Sequence, residues 1–301
     1  MRTLEALRKQ IETTEDMGSI VRTMKALAAV SIHQFERAAA AIADYEATVE
    51  LGLQALLMHP DAPRGQPDAG PRAAAAARRA LIVFGSDHGL CGRFNDEVVA
   101  AALHHLGAGS DGRVLVVGVR AAGRVEASGR TIDQILTLPG SVDGLSTVVH
   151  EILLIVDRWR AQGQVSDVAV CHNRRTEHVA ASPCITRLLP LDVLRLGELA
   201  ERPWPTRARP MFTMQPAALL SALVRQLLYV SLYRACAESL ASEHASRLAS
   251  MQAAERNIAE RLDEMQAEFR SRRQESITEE LLDVIAGFEV LSEPPVKRAP
   301  A

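Results

Sequence analysis

Ile20-Val21-Arg22-Thr23-Met24-Lys25-Ala26-Leu27-Ala28-Ala29 lies inside a stretch, Met1 to Met58, that holds no proline and no glycine cluster. Outward from it, apolar residues recur at steps of three and four: Leu4, Leu7, Ile11, Met17, Val21, Met24 and Ala28. The series continues through Ile32, Phe35, Ala39, Ile42, Val49, Leu53 and Leu56. A stripe averaging about 3.5 residues over about eight heptads predicts a coiled-coil seam, longer than an ordinary bundle helix needs. From Ala217 to Leu291 the chain again lacks proline, and Leu220, Leu223, Leu227, Leu240, Leu248, Met251, Ile258, Leu262, Met265 and Phe269 trace a second seam. His244 falls on that seam, where a polar residue fixes register.

Between the two helices the chain changes character. Residues 59–79 are rich in Pro, Gly and Ala and read as a linker. Residues 80–200 read as a central domain. Ala80–Phe84, Val114–Val119, Val165–Cys171 and Val179–Leu189 are strand-like, with helices over Asn95–Leu106 and Leu145–Ala161. That alternation predicts a mostly parallel sheet. Residues 201–216 form a Pro-rich connection, 217–291 the second long helix, and 292–301 a disordered tail.

If both helices leave one compact domain, they run antiparallel. At about 1.5 Å rise per residue the first reaches about 85 Å and the second about 110 Å. Pairing Leu57 with Pro216 places Met1 near residue 273, so Gln274 to Leu291 is expected to project without a partner helix. Ile277, Leu281, Leu282, Val284, Ile285, Phe288 and Leu291 make that end too apolar for a helix left in water, which marks a contact surface.

Composition narrows the function. Hydrophobic residues are 48% but aromatics only 4%, which favours helices over an aromatic-rich sandwich. With 34 basic against 37 acidic residues and a net charge of −3, no basic excess points to nucleic acid. No unbroken apolar run has bilayer-spanning length, and Met1-Arg2-Thr3-Leu4-Glu5 is not the start of a signal peptide. Four scattered cysteines suit a reducing compartment. Glycines at 85, 89 and 92 depart from the dinucleotide spacing, and Asp96 and Glu97 would repel a phosphate at the helix start that follows. His104-His105 and Cys171-His172 each lack a second pair at ligand spacing. No catalytic, cofactor-binding or metal-ligating residues are therefore expected.

Four segments carry a resemblance. Ile20 to Ala29, Gly85-Ser86-Asp87-His88-Gly89-Leu90-Cys91-Gly92-Arg93-Phe94-Asn95, Glu238 to Leu248 and Gln274 to Asp283 are similar, in order, to signatures of the γ subunit of F-type ATP synthases. The chain departs at His88, usually Arg, and at Arg93, usually Gly. Glu12, Glu15 and Asp16 also interrupt a normally basic first helix, as in the divergent γ chains of alternate bacterial F-type ATPases. The resemblance implies an α/β fold class: a long antiparallel two-helix coiled coil of the N- and C-terminal helices, plus a central Rossmann-like domain with a mostly parallel sheet. It implies a rotor shaft without catalysis of its own. Its partners would be the α and β subunits (three of each around one γ), the ε subunit and the membrane c-ring, at the cytoplasmic face of the bacterial inner membrane. Met24, Lys25, Arg247, Gln274, Thr278, Glu280 and Asp283 are the implied β-subunit contacts, and Ile277, Leu281, Val284, Ile285, Phe288 and Leu291 the bearing tip. The alternatives are a nucleotide-dependent α/β enzyme with coiled-coil arms and a coiled-coil scaffold.

Overall fold

The computed structural model describes residues 3–60, 79–107, 112–205 and 210–292. Most of the expected 59–79 linker and all but the first residue of the 292–301 tail lie outside the described residues, as do the side chains of Phe288 and Leu291. Helix α1 spans Leu4–Leu57 and α6 spans Pro216–Ser292. Between them come β1 (Arg79–Phe84), α2 (Phe94–Leu106), β2 (Arg113–Val117), α3 (Val119–Ala127), β3 (Gln134–Leu136), α4 (Leu145–Ala161), β4 (Asp167–Arg174), β5 (Ser182–Leu189) and α5 (Val193–Glu201). The α1 start is capped by Thr3 Oγ1, which accepts the Ala6 N–H at 3.2 Å. Pro216 opens α6 at the helix position where a missing N–H costs nothing.

The chain divides into two compact units, residues 1–25 with 251–301 and residues 26–250. Within the first, α1 and α6 lie antiparallel: Gly18 faces Ile258, and Lys25 Nζ meets Glu255 Oε2 at 2.5 Å. Leu7 and Met265 are buried there. The seam reading needs one correction. Met17 is 55% exposed, and buried Gly18 takes the inward position, where a Cβ would stand 3.4 Å from Ile258 Cγ2. The helical repeat runs from Ile11 through Thr14 to Gly18, two residues that an apolar count passes over.

In the second unit, Ala28, Ile32, Phe35, Val49, Leu53 and Leu56 are buried along α1. Phe35 stacks on His244 and Gly52 faces Leu223, so the helices again run antiparallel, and Tyr45 donates to Gln226 Oε1 at 2.9 Å while Arg234 pairs with Glu46. The sheet order is β3-β2-β1-β4-β5, parallel except for β5, which pairs antiparallel with β4 at one edge. One face (Leu81, Val83, Val114, Val116, Ala169, Cys171) packs on α2 and α3. The other (Ile82, Phe84, Leu115, Val117, Val168, Val170) packs on α4 and on Leu228, Leu232, Cys236 and Leu240 of α6, with Phe35 of α1. Both faces are covered, which is why β1 reads as an unbroken apolar run.

Three elements escaped the sequence reading: α3, β3 and α5, all short. Val119 was expected to end a strand, yet it opens α3, because Gly118 at φ +117 turns the chain after Val117. Among the described residues one helix, α6, is long and apolar enough to cross a membrane by length and composition alone, with mean hydropathy 1.3 over its best window. The reading of no unbroken apolar run and this window are compatible. Arg225 and Arg234 interrupt the helix and pair with Asp157 and Glu46, while Leu228, Leu232 and Leu240 pack on the sheet.

A Cβ at Gly118 would stand 2.7 Å from Ser86 N and 2.9 Å from Gly85 C. Gly118→Ala should lose about 2–4 kcal/mol of stability. Gly123→Ala, on exposed helix with nothing within 4 Å, should gain up to about 1 kcal/mol. Urea unfolding of the full chain measures both, and equal effects would contradict the packing described.

Candidate functional site

The turn after β1 and the helix beneath it hold a connected polar cluster. Gly85 N–H donates to Val117 O at 2.8 Å, fixing the strand end. Asn95, at the start of α2, then folds the turn around itself. Its Oδ1 accepts the Ser86 N–H at 3.0 Å and its Nδ2 donates to Ser86 Oγ at 2.8 Å. Ser86 Oγ in turn donates to His88 O at 2.8 Å. Leu90 is held at φ +64, a conformation unfavourable for a bulky residue, with 60% of its surface exposed.

In many α/β proteins this crevice receives a ligand phosphate at a helix N-terminus. Here Asp87 stands in that position: its carboxylate accepts the N–H of Val119, first residue of α3, at 2.9 Å and of Leu138 at 2.8 Å. At the start of α2, Asp96 and Glu97 occupy the first turn, and Arg124 pairs with Asp96 at 3.1 Å. Gly85 lets the turn pack directly on α3, since a Cβ there would stand 2.1 Å from Ala121 Cβ. Both helix starts are thus neutralised by the chain's own carboxylates. His88 and Arg93 are both exposed.

Below the turn, Arg247 of α6 is only 7% exposed. Its Nη2 donates to Glu243 Oε1 at 2.6 Å and reaches Gly89 O at 3.4 Å, while Nη1 lies 3.2 Å from His244 Nδ1. Glu243 is buried too, and its Oε2 accepts no hydrogen bond among the described residues. Burial pushes the Glu243 carboxyl up to about 7, outweighing Arg247, which pulls it down. Burial also drives His244 down to about 4, with Arg247 adding to it. The neutral imidazole stacks on Phe35 with ring centroids 5.7 Å apart. Burial raises the Cys91 thiol and pushes Cys171 up to about 12, which disfavours the thiolate at both. Among the described residues no group of His, Cys, Asp and Glu is placed to hold a metal ion.

The residues expected to face partners fall into three groups. Gln274, Thr278, Glu280 and Asp283 are exposed on α6, with Thr278 Oγ1 donating to Gln274 O at 2.8 Å. Ile277, Leu281, Val284 and Ile285 are exposed beside them, Val284 by 69%. Met24 and Lys25 are half-buried, Lys25 being committed to Glu255. Arg247 stands apart, because the turn covers it. Sequence reasoning passed over Glu243, though its i,i+4 spacing from Arg247 was visible. It also missed that Asp87 would occupy a helix start, a contact made across 32 and 51 residues of chain.

Two long antiparallel terminal helices, a mostly parallel sheet between them and an exposed apolar stretch near the end of α6 define the architecture. The ATP synthase family description matches residues 3–291. The ATP synthase γ chain of Granulibacter bethesdensis is 28% identical over 97% of this chain and all of the relative, and that of Glaesserella parasuis 30% identical over 69% of this chain and 72% of the relative. Among solved structures, a chain of the Euglena gracilis mitochondrial ATP synthase OSCP/F1/c-ring assembly has the same fold, with TM-score 0.65 at 13% identity over 99% of both chains. A chain of the Tetrahymena thermophila central stalk/c-ring structure gives TM-score 0.55 at 18% identity, over 78% of this chain and 99% of that one. The protein belongs to the ATP synthase family, among its γ chains.

Two pH effects follow. Glu243 ordinarily titrates at 4.5 and in the fold at about 7. Its contribution to stability is therefore full below 4.5 and lost as pH rises through 7. His244 ordinarily titrates at 6.5 and here at about 4, so its contribution is present above 6.5 and lost as pH falls through 4. Removing the Glu243 titration with Glu243→Gln should abolish the loss on the rising side and keep that on the acid side. Urea midpoints of the full chain across this range provide the check.

Proposed function

We propose that this chain is the central rotor shaft of an F-type ATP synthase, coupling ion flow through the membrane sector to ATP synthesis or hydrolysis at the α/β ring by rotation, without catalysing a reaction itself. The observation that carries this reading is the end of α6, where Ile277, Leu281, Leu282, Val284 and Ile285 are all exposed. Such a surface is stable in water only when sheathed by a partner.

The coupling argument is thermodynamic. Chemically identical nucleotide sites on the ring differ only in what the shaft presents to each. The shaft must therefore bind their conformations with unequal free energy. Driving a two-state site nearly to completion takes about 5.5 kcal/mol. A few charge-assisted hydrogen bonds, at about 1.5–3 kcal/mol each, with apolar sleeve contacts, reach that scale. Gln274, Thr278, Glu280 and Asp283 are the polar contacts in this proposal, and Ile277, Leu281, Val284, Ile285, Phe288 and Leu291 the bearing tip. Met24 and Lys25 face the β lever region, and Arg247 contributes from beneath the 85–93 turn. The central domain meets ε and the c-ring, which holds the chain peripherally at the cytoplasmic face of the bacterial inner membrane. Acidic Glu12, Glu15 and Asp16 align it with the divergent γ chains of alternate bacterial enzymes.

Co-purification of the tagged chain with α and β subunits tests the assignment, and its absence would refute it. In the reconstituted complex, Gln274→Ala with Glu280→Ala should lower coupled ATP turnover about tenfold, the loss of roughly 1.4 kcal/mol at the transition state. The helix content should not change. Unchanged turnover would remove these two residues from the contact set.

A further inference from the structure

The 86–91 turn has no regular secondary structure, and its shape is set from inside. Its two exposed-side carbonyls are both held by side chains: His88 O by Ser86 Oγ, and Gly89 O by Arg247. The next residue is Leu90, in its unfavourable left-handed conformation and turned to solvent. Arg247 comes from α6, and its own direction is fixed by Glu243 one helical turn earlier. An arginine held by a buried carboxylate cannot swing to solvent without stranding that charge.

We propose that Glu243 is a positioning residue for coupling: through Arg247 it locks the 86–91 turn to α6, so that Leu90 is presented at a fixed place whenever the helix moves. The geometry is that of a latch, with a carboxylate, a guanidinium and a backbone carbonyl in series. The groups facing Glu243 are Arg247, His244 and Cys236 on α6 and Asp87 and Cys91 on the turn, while α1 contributes the Phe35 ring against His244. Of these, Arg247 is the permanent positive charge. When the Glu243 carboxyl takes up a proton the guanidinium loses its counter-charge, and the latch slackens. The site rests on the rotor reading for its use but not for its mechanics.

Hydrogen exchange of the assembled α/β/γ complex, corrected for intrinsic rates, reads the turn directly at about pH 6 and about pH 8. In the wild type, amides 86–92 should exchange faster at the lower pH. Glu243→Gln, which keeps an acceptor for Arg247 but not the charge, should exchange several-fold faster than the wild type at about pH 8, match it at about pH 6, and show no pH response. Arg247→Lys, too short to serve both Glu243 and Gly89, should raise exchange while the α6 amides 239–250 remain protected. The ratio of ions pumped to ATP hydrolysed should fall with loop protection in both variants. Superimposable exchange in the wild type and Glu243→Gln at about pH 8 would overturn the latch, as would loss of protection in α6 together with the turn. Failure of the wild-type chain to assemble with α and β would instead refute the rotor reading, and the same exchange measurement on the full chain alone would still decide the latch.

Discussion

One packing contact governs the second unit: the inner face of the sheet is closed by the terminal helices themselves. Leu228, Leu232, Cys236 and Leu240 of α6, with Phe35 of α1, share a single core with Ile82, Phe84, Leu115 and Val117. A sheet face of that size left uncovered would forfeit about 1.5–3 kcal/mol for each buried aliphatic residue. The helices cannot slide along the domain without paying that cost, so their register against it is fixed by hydrophobic burial. The polar contacts at Tyr45–Gln226 and Arg234–Glu46 refine a position already determined.

The polar interior has a different logic. Where related architectures leave helix starts open for a ligand's negative charge, this chain places Asp87 at α3 and Asp96 at α2. Both helix starts therefore carry the chain's own negative charge where a phosphate's would sit. Gly85 and Gly118 complete the closure, since their missing side chains let the β1 turn, Ala121 and Ser86 come into contact.

Much of this was legible in the sequence because it rests on periodicity. The two seams, the buried β1 and β2 runs, and the exposed stretch from Gln274 to Ile285 follow from patterns within a few turns of helix or a single strand. The Met17 position was misread because Thr14 and Gly18, which carry the seam there, are not apolar. Helix α3 was missed because it is only nine residues long and its buried face, Ala121, Ala122 and Val125, is mostly alanine. The burial of Arg247 and the capping by Asp87 were out of reach for another reason. Each depends on a contact between distant segments, 158 residues apart for Arg247 and Gly89, and no local pattern encodes which loop will cover which helix.

The shared core also bears on how the chain is made. Residues leave the ribosome in order, so β1, β2 and β4 emerge well before Leu228 to Leu240 of α6. Until that last helix arrives, the inner sheet face has only α4 and the early Phe35 against it. Native topology is therefore completed by a late, long-range closure, and the inner face stays open from the emergence of β4 until Leu240 has been added. A protein with this architecture places its greatest demand on chaperones while the first part of its final third is being synthesised.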